Sequence, residues 1–253
     1  MGAPRAVALC FNFRGALNFQ SGYWSDAETG LRDAVDIYRQ VGSAAGEALS
    51  LQRLGVLLTA KGELDEAQEC LNSGLVVAER AAMRSHCLTR LHASLIRNRL
   101  AADDKEGLDL SLAEGLEVAK RHGDCVTCNA LLLPEVAAAE IKRGNIDAAD
   151  KAAQQLAKTA EEFDSRSWAA MAAQARGRVA LAQGNTEEAT TLFDNAFTAF
   201  NEVGQPYDAA RCRRLQAESR RAAGGKGSKK EADELAAEAQ SMFDDIGAPG
   251  LEA

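Results

Sequence analysis

The stretch GNTEEATTLFDNAFTAFNEVGQ, residues 184–205, decides the fold. It opens on a glycine, passes through two acids, and then sets Ala189, Leu192, Phe193, Ala196, Phe197 and Phe200 at intervals of three and four. Those intervals place one apolar stripe along a helix. The glycine suits the left-handed residue that ends a preceding helix. The acids suit the positive end of the helix that follows. GELDEAQECLNSGLVVAERAA, residues 62–82, has the same plan.

The plan recurs along the chain. Aligned on the residue that opens the stripe, it falls at Ala27, Ala67, Leu108, Ala149, Ala189 and Ala232, spaced by 40, 41, 41, 40 and 43 residues. Twelve residues earlier stand Gly15, Gly55, Ile96, Ala137 and Gly177, with Ala217 in the lengthened sixth unit. Between the two positions the chain turns, at Gly22, Gly62, Asp103, Gly144 and Gly184. A second break follows each stripe at Gly42, Gly123, Gly204 and Gly247, with Ala82 and Asp164 in the same place. Each unit therefore reads helix, turn, helix, turn. A small residue paired with Ala lets two antiparallel helices cross closely. A unit that cannot bury its face alone must stack on its neighbours.

Composition agrees. The 253 residues are 46% hydrophobic but only 5% aromatic, with four prolines, which favours helix over sheet. No apolar run approaches the roughly 20 residues that span a bilayer, so no membrane partner is expected. The net charge of −8 argues against direct nucleic-acid binding. Six cysteines without a compact disulfide framework read as reduced thiols, and the chain is expected to be cytoplasmic.

The triplets Gly15, Ala27 and Ala34; Gly55, Ala67 and Gly74; and Gly177, Ala189 and Ala196 resemble the tetratricopeptide repeat (TPR) signature. The resemblance covers residues 6–251. The family's usual Trp, Tyr and Pro positions are not filled, and the unit is about 40 residues rather than 34. It implies an all-α, right-handed TPR-like superhelix (α-solenoid) of about six antiparallel helix pairs. The repeats would be 6–45, 46–85, 86–126, 127–167, 168–207 and 208–251, in one domain of residues 1–253. ARGRVALAQGNTEEATTLFDNAFTAFNEVGQPYDAARCR and CVTCNALLLPEVAAAEIKRGNIDAA look like the helical arrays of bacterial signal-transduction ATPase regulators of the MalT and AfsR type. In that family the array is a sensing and interaction arm, and the ATPase and LuxR- or SARP-type DNA-binding parts lie elsewhere. The array fills the chain from its first ten residues to IGAPGLEA without a polar cap. A piece of a longer protein is therefore expected, with a partner or a second copy (a homodimer) covering the ends as the alternative.

The sequence offers no catalytic set. GGKGSKK, residues 224–230, lacks the order of a phosphate loop, because Gly227 follows Lys226, and it reads as a long inter-helix turn. Cys87, His122, Cys125 and Cys128 are the candidates for a zinc site. The packing reading, cysteines as small apolar fillers at inter-repeat contacts, is preferred. His92 falls on a packing face. No cofactor and no enzyme activity are expected. Pro134 stands well inside a first helix or in the first turn of one that starts late.

The resemblance places partner binding on the concave face formed by the first helices. Its groove positions map to Asn12, Gln52, Arg53, Arg97, Glu135, Gln174, Arg178, Arg214, Glu218 and Arg221. Residues 211–230 hold five Arg and three Lys against one Glu. Such a face attracts an acidic protein or peptide, or a phosphate-bearing partner. The six acids and no base of EADELAAEAQSMFDD offer internal pairing instead.

Overall fold

The computed structural model describes residues 3–250 apart from 122, 124 and 226. Twelve α-helices and no strand occupy the described residues. They are α1 (Pro4–Gln20), α2 (Trp24–Gln40), α3 (Ala44–Lys61), α4 (Leu64–Ala78), α5 (Arg84–Ala101) and α6 (Lys105–Arg121), then α7 (Val126–Arg143), α8 (Ile146–Glu162), α9 (Arg166–Ala182), α10 (Thr186–Glu202), α11 (Pro206–Ala223) and α12 (Ser228–Ile246). The chain divides into two compact units, one ending at Leu132 and one running Leu133–Gly250. In the first, α1 packs on α2, α3 on α4 and α5 on α6, while α2 meets α3 and α4 meets α5. In the second, α8, α9, α10, α11 and α12 each pack on the next. Odd-numbered helices also touch, α1 with α3, α3 with α5, and α9 with α11. Each unit is thus a stack of helix pairs.

All six repeat anchors, Ala27, Ala67, Leu108, Ala149, Ala189 and Ala232, are buried. The reason for the glycines that precede three of them is sharper than a generic close crossing. A Cβ at Gly15 would lie 2.8 Å from Leu31, one at Gly55 would lie 2.5 Å from Leu71, and one at Gly177 would lie 2.6 Å from Phe193. Each glycine is the hole that receives the large side chain sixteen residues on. The receivers Leu31, Leu71 and Phe193 are fully enclosed. Burying side chains of this size contributes roughly 1.5–3 kcal/mol each.

The turns fall where the sequence puts them. Gly22, Gly62, Gly144 and Gly184 take φ of 86°, 81°, 81° and 83°, while Asp103 and Asp164 adopt the left-handed region with side chains, at 51° and 47°. Acids occupy the first turns of α4 (Asp65, Glu66) and α10 (Glu187, Glu188). Ala82 departs from the pattern, because it does not take the left-handed conformation of its counterparts. A left-handed Ala costs roughly 1–2 kcal/mol. The chain instead leaves the helix early, after Ala78, and crosses to Arg84 through a longer turn. Pro134 lies inside α7. It therefore withholds the amide donor that the Ala130 carbonyl would otherwise receive.

No described helix is long and apolar enough to cross a membrane.

Candidate functional site

The odd-numbered helices carry the polar residues expected to meet a partner. In the first unit these residues mostly meet one another. Arg53 on α3 donates through Nη1 to the Oδ1 of Asn12 on α1 at 2.7 Å and to its carbonyl at 3.2 Å. Its guanidinium also lies 4.8 Å from the Phe13 ring centroid. Gln52 donates to Ser94 Oγ on α5 at 2.7 Å, and both are buried. Asn98 repeats the device one turn on, donating to the Thr59 hydroxyl at 3.3 Å and to the Leu64 carbonyl at 3.1 Å. Arg97 is half-buried on the same helix. Burial, and after it the neighbouring Arg90, hold the Arg53 guanidinium below its ordinary pKa.

The second unit is arranged differently. The Ser165 hydroxyl caps α9 by accepting from the Trp168 amide at 3.3 Å, and Pro206 starts α11. These starts fix the register in which Gln174 and Arg178 lie one turn apart on α9, with Arg211, Arg214 and Glu218 along α11. Gln174 donates to the Cys212 sulfur at 3.1 Å. Burial pushes that thiol up to about 12, so it stays protonated at neutral pH.

Arg178 sits where the charges of Arg211, Glu218, Glu135 and Arg214 are all felt. Its pKa falls from 12.5 to about 10, first through burial and then through Arg211. The two carboxylates do not offset those effects. Arg211 is almost wholly buried, with Asp208 at 3.3 Å. Arg214 approaches Glu218 at 4.0 Å, donates to the Gly250 carbonyl, and lies 5.5 Å from the Phe243 ring centroid.

The structure therefore gathers Glu135, Gln174, Arg178, Arg214 and Glu218 within the second unit, and Asn12, Gln52 and Arg53 within the first. Arg221, two turns beyond Arg214 on α11, is exposed and faces Asp233 of α12 at 3.4 Å. Arg213 and Arg220 likewise reach Glu238 and Glu231 at 3.2 and 3.7 Å. Part of the basic run is thus paired with the acidic helix after it, as the charge pattern allowed. Sequence reasoning missed Arg211 as a member of the cluster. The signal was its position three residues before Arg214, on the same helix face.

A surface depression between α8 and α9, lined by Asp150, Gln154, Arg176 and Gln183 among others, is separate from these residues.

Among the cysteines, the structure separates packing from chemistry. Cys87 is enclosed in an apolar cluster with Val35, Ala48 and Leu91, and burial raises its thiol to about 11. Cys125 and Cys128 meet His86 instead, with one ligand atom from each lying within 4.8 Å of the others. Cys128 Sγ is 3.0 Å from His86 Nδ1. Cys125 is exposed and Cys128 buried. The Thr127 hydroxyl, 3.4 Å away, holds the Cys125 thiol below its ordinary value, whereas burial and then Cys125 itself raise Cys128 to about 11. Burial, Arg90 and Arg53 keep the His86 imidazole toward its neutral form. His122 lies outside the described residues. His86 was legible only through the repeat, because it stands 42 residues before Cys128, beside it on the preceding first helix.

No family model matches the chain, and no curated protein matches it. Among solved structures, the crystal structure of BtubC (BKLC) from P. vanneervenii is similar, with a TM-score of 0.54 at 14% identity over 90% of this chain and 91% of that one. At that identity the likeness shows an all-helical, repeat-like fold.

Proposed function

We propose that the protein is a non-enzymatic, TPR-like interaction scaffold that binds an acidic protein or peptide on the first-helix face of its second unit. The observation that carries this reading is the environment of Arg178. The side chain is half-buried on α9 and shares its surroundings with two further arginines, Arg211 and Arg214, beside Glu135 and Glu218. Guanidinium groups present their donors in a planar fork, so such a cluster suits a partner's carboxylates, and charge-assisted hydrogen bonds to arginine are among the stronger ones available. The repeat text supports a further assignment, the sensing or interaction arm of a bacterial transcriptional regulator of the MalT and AfsR type.

Fluorescence anisotropy with a labelled oligo-glutamate peptide tests the binding surface. Arg178→Ala and Arg214→Ala should each weaken binding while leaving the helical circular-dichroism signal intact. Unchanged affinity in both rejects the surface. An immunoblot of cells that express the chain tests the regulator assignment, which requires a band much heavier than the chain itself.

One observation favours a second reading, a self-assembling structural adaptor. Leu9, Phe13 and Leu17 are exposed by 48%, 52% and 62% and follow one another at four-residue intervals along α1, an apolar stripe that a second copy would cover. Light scattering across a concentration series decides it. A concentration-independent monomer rules it out.

A further inference from the structure

We propose that His86, Cys125 and Cys128 form a binding site for a thiophilic metal cation of the Zn2+ class, with a solvent molecule completing a tetrahedral set. The site lies within the first unit and does not depend on the acidic-partner reading.

The donor chemistry is one imidazole nitrogen and two thiols, the set that Zn2+ favours over Mg2+ or Ca2+. The geometry is close to what the ion needs. Distances of about 2.3 Å to sulfur and about 2.0 Å to nitrogen put tetrahedral ligands roughly 3.5–3.8 Å apart. The three donor atoms here lie within 4.8 Å of one another, with Cys128 Sγ and His86 Nδ1 at 3.0 Å. Small side-chain rotations therefore suffice. Nδ1 takes the metal, and Nε2 carries the ring proton.

The backbone supplies the rest. His86 stands in the first turn of α5, Cys125 immediately precedes α7, and Cys128 lies in the first turn of α7. The amides of Cys128 and Asn129 both donate to the Cys125 carbonyl, at 3.0 and 2.8 Å, which holds the two cysteines on one side of the helix start. Helix N-termini favour thiolate over thiol. Exposed Cys125 gives the ion and its water a way in, while buried Cys128 and half-buried His86 form the floor.

Charge also balances. Each thiol releases its proton to solvent as its sulfur–metal bond forms, so Zn2+ with two thiolates and a neutral imidazole carries no net charge. Arg90, one turn beyond His86, then faces a neutral complex and not an added cation. A packing role accounts for Cys87 and Cys212, which are enclosed by apolar neighbours or a single amide. It does not account for an exposed cysteine directed at a buried one that in turn meets a histidine.

The test is titration of the reduced, metal-free full chain with Co2+, followed by Zn2+ competition against a chromophoric chelator. The expected result is saturation at a single equivalent, with tetrahedral visible bands and a sulfur-to-cobalt charge-transfer band that Zn2+ abolishes. Cys125→Ser should diminish the charge transfer, and His86→Gln should weaken Zn2+ by about tenfold or more. Cys10→Ser, at an exposed cysteine on α1, should change neither. Circular dichroism checks folding, and the exposed position 125 keeps the test usable if Cys128→Ser does not fold. Absence of thiolate charge transfer in the reduced wild type overturns the site. So does a His86→Gln variant that binds Zn2+ as tightly as wild type.

Discussion

The first-helix faces of the two units set the same residue types in different surroundings. On α3 and α5, Arg53, Gln52 and Asn98 each reach a defined neutral partner on the neighbouring helix, and the polar atoms act as ties between repeats. On α9 and α11, Arg178 is surrounded by charge of both signs and remains destabilised as a cation, with a pKa near 10. Burial lowers the Arg53 guanidinium as well, so the contrast lies in the neighbours and not in the shift. Hydrogen-bonded ties to the next repeat specify a stack. A half-buried cluster of three arginines is where the proposed acidic partner would dock.

What the units share should show first. Leu71 and Phe193 fill equivalent glycine holes and are fully buried, so Leu71→Ala and Phe193→Ala should each cost about 3–5 kcal/mol in urea unfolding. A small loss in only one would mean that the packing rule is not common to both units.

The next effect belongs to the first unit. Burial pushes the His92 pKa from 6.5 down to about 4, so although Glu114 lies 3.9 Å away the imidazole is neutral at pH 7. The unfolded chain takes up a proton between those values that the folded chain refuses. The His92 contribution is therefore complete above pH 6.5 and is lost as the pH falls, by roughly 3 kcal/mol at pH 4. Unfolding measured at pH 7 and pH 4.5 should drop less in His92→Gln than in wild type. An equal drop in both would place the acid sensitivity elsewhere.

Asn98→Ala sharpens the contrast. It removes both ties from the buried Asn98, so it should destabilise by about 1–2 kcal/mol. A thermal melt reads the loss, and an unchanged melting temperature would mean that Asn98 ties nothing.

The fold was legible because helix period and glycine placement are local properties that the fold preserves. Gly184 and Ala189 announce a turn and a stripe without reference to any other repeat. The candidate face was legible only in part. Register brings Gln174, Arg178, Arg214 and Glu218 together, but a buried arginine reads like an exposed one in sequence, so Arg211 is legible only as part of the basic run. Arg221 comes from the same projection of groove positions, and its ion pair with Asp233 is not readable from the register. Cys87 was selected over His86 by repeat equivalence. Adjacent residues on a helix point about 100° apart, and that rotation turns Cys87 into the core and His86 toward Cys128.

The most direct test of the account compares Arg178→Ala with Arg53→Ala in calorimetric titration with an oligo-glutamate peptide. The expected result is about a tenfold or greater loss of affinity in Arg178→Ala, with wild-type affinity but a lower melting temperature in Arg53→Ala. Equal affinities in the two variants, or a loss confined to Arg53→Ala, would contradict the assignment of binding to the second unit.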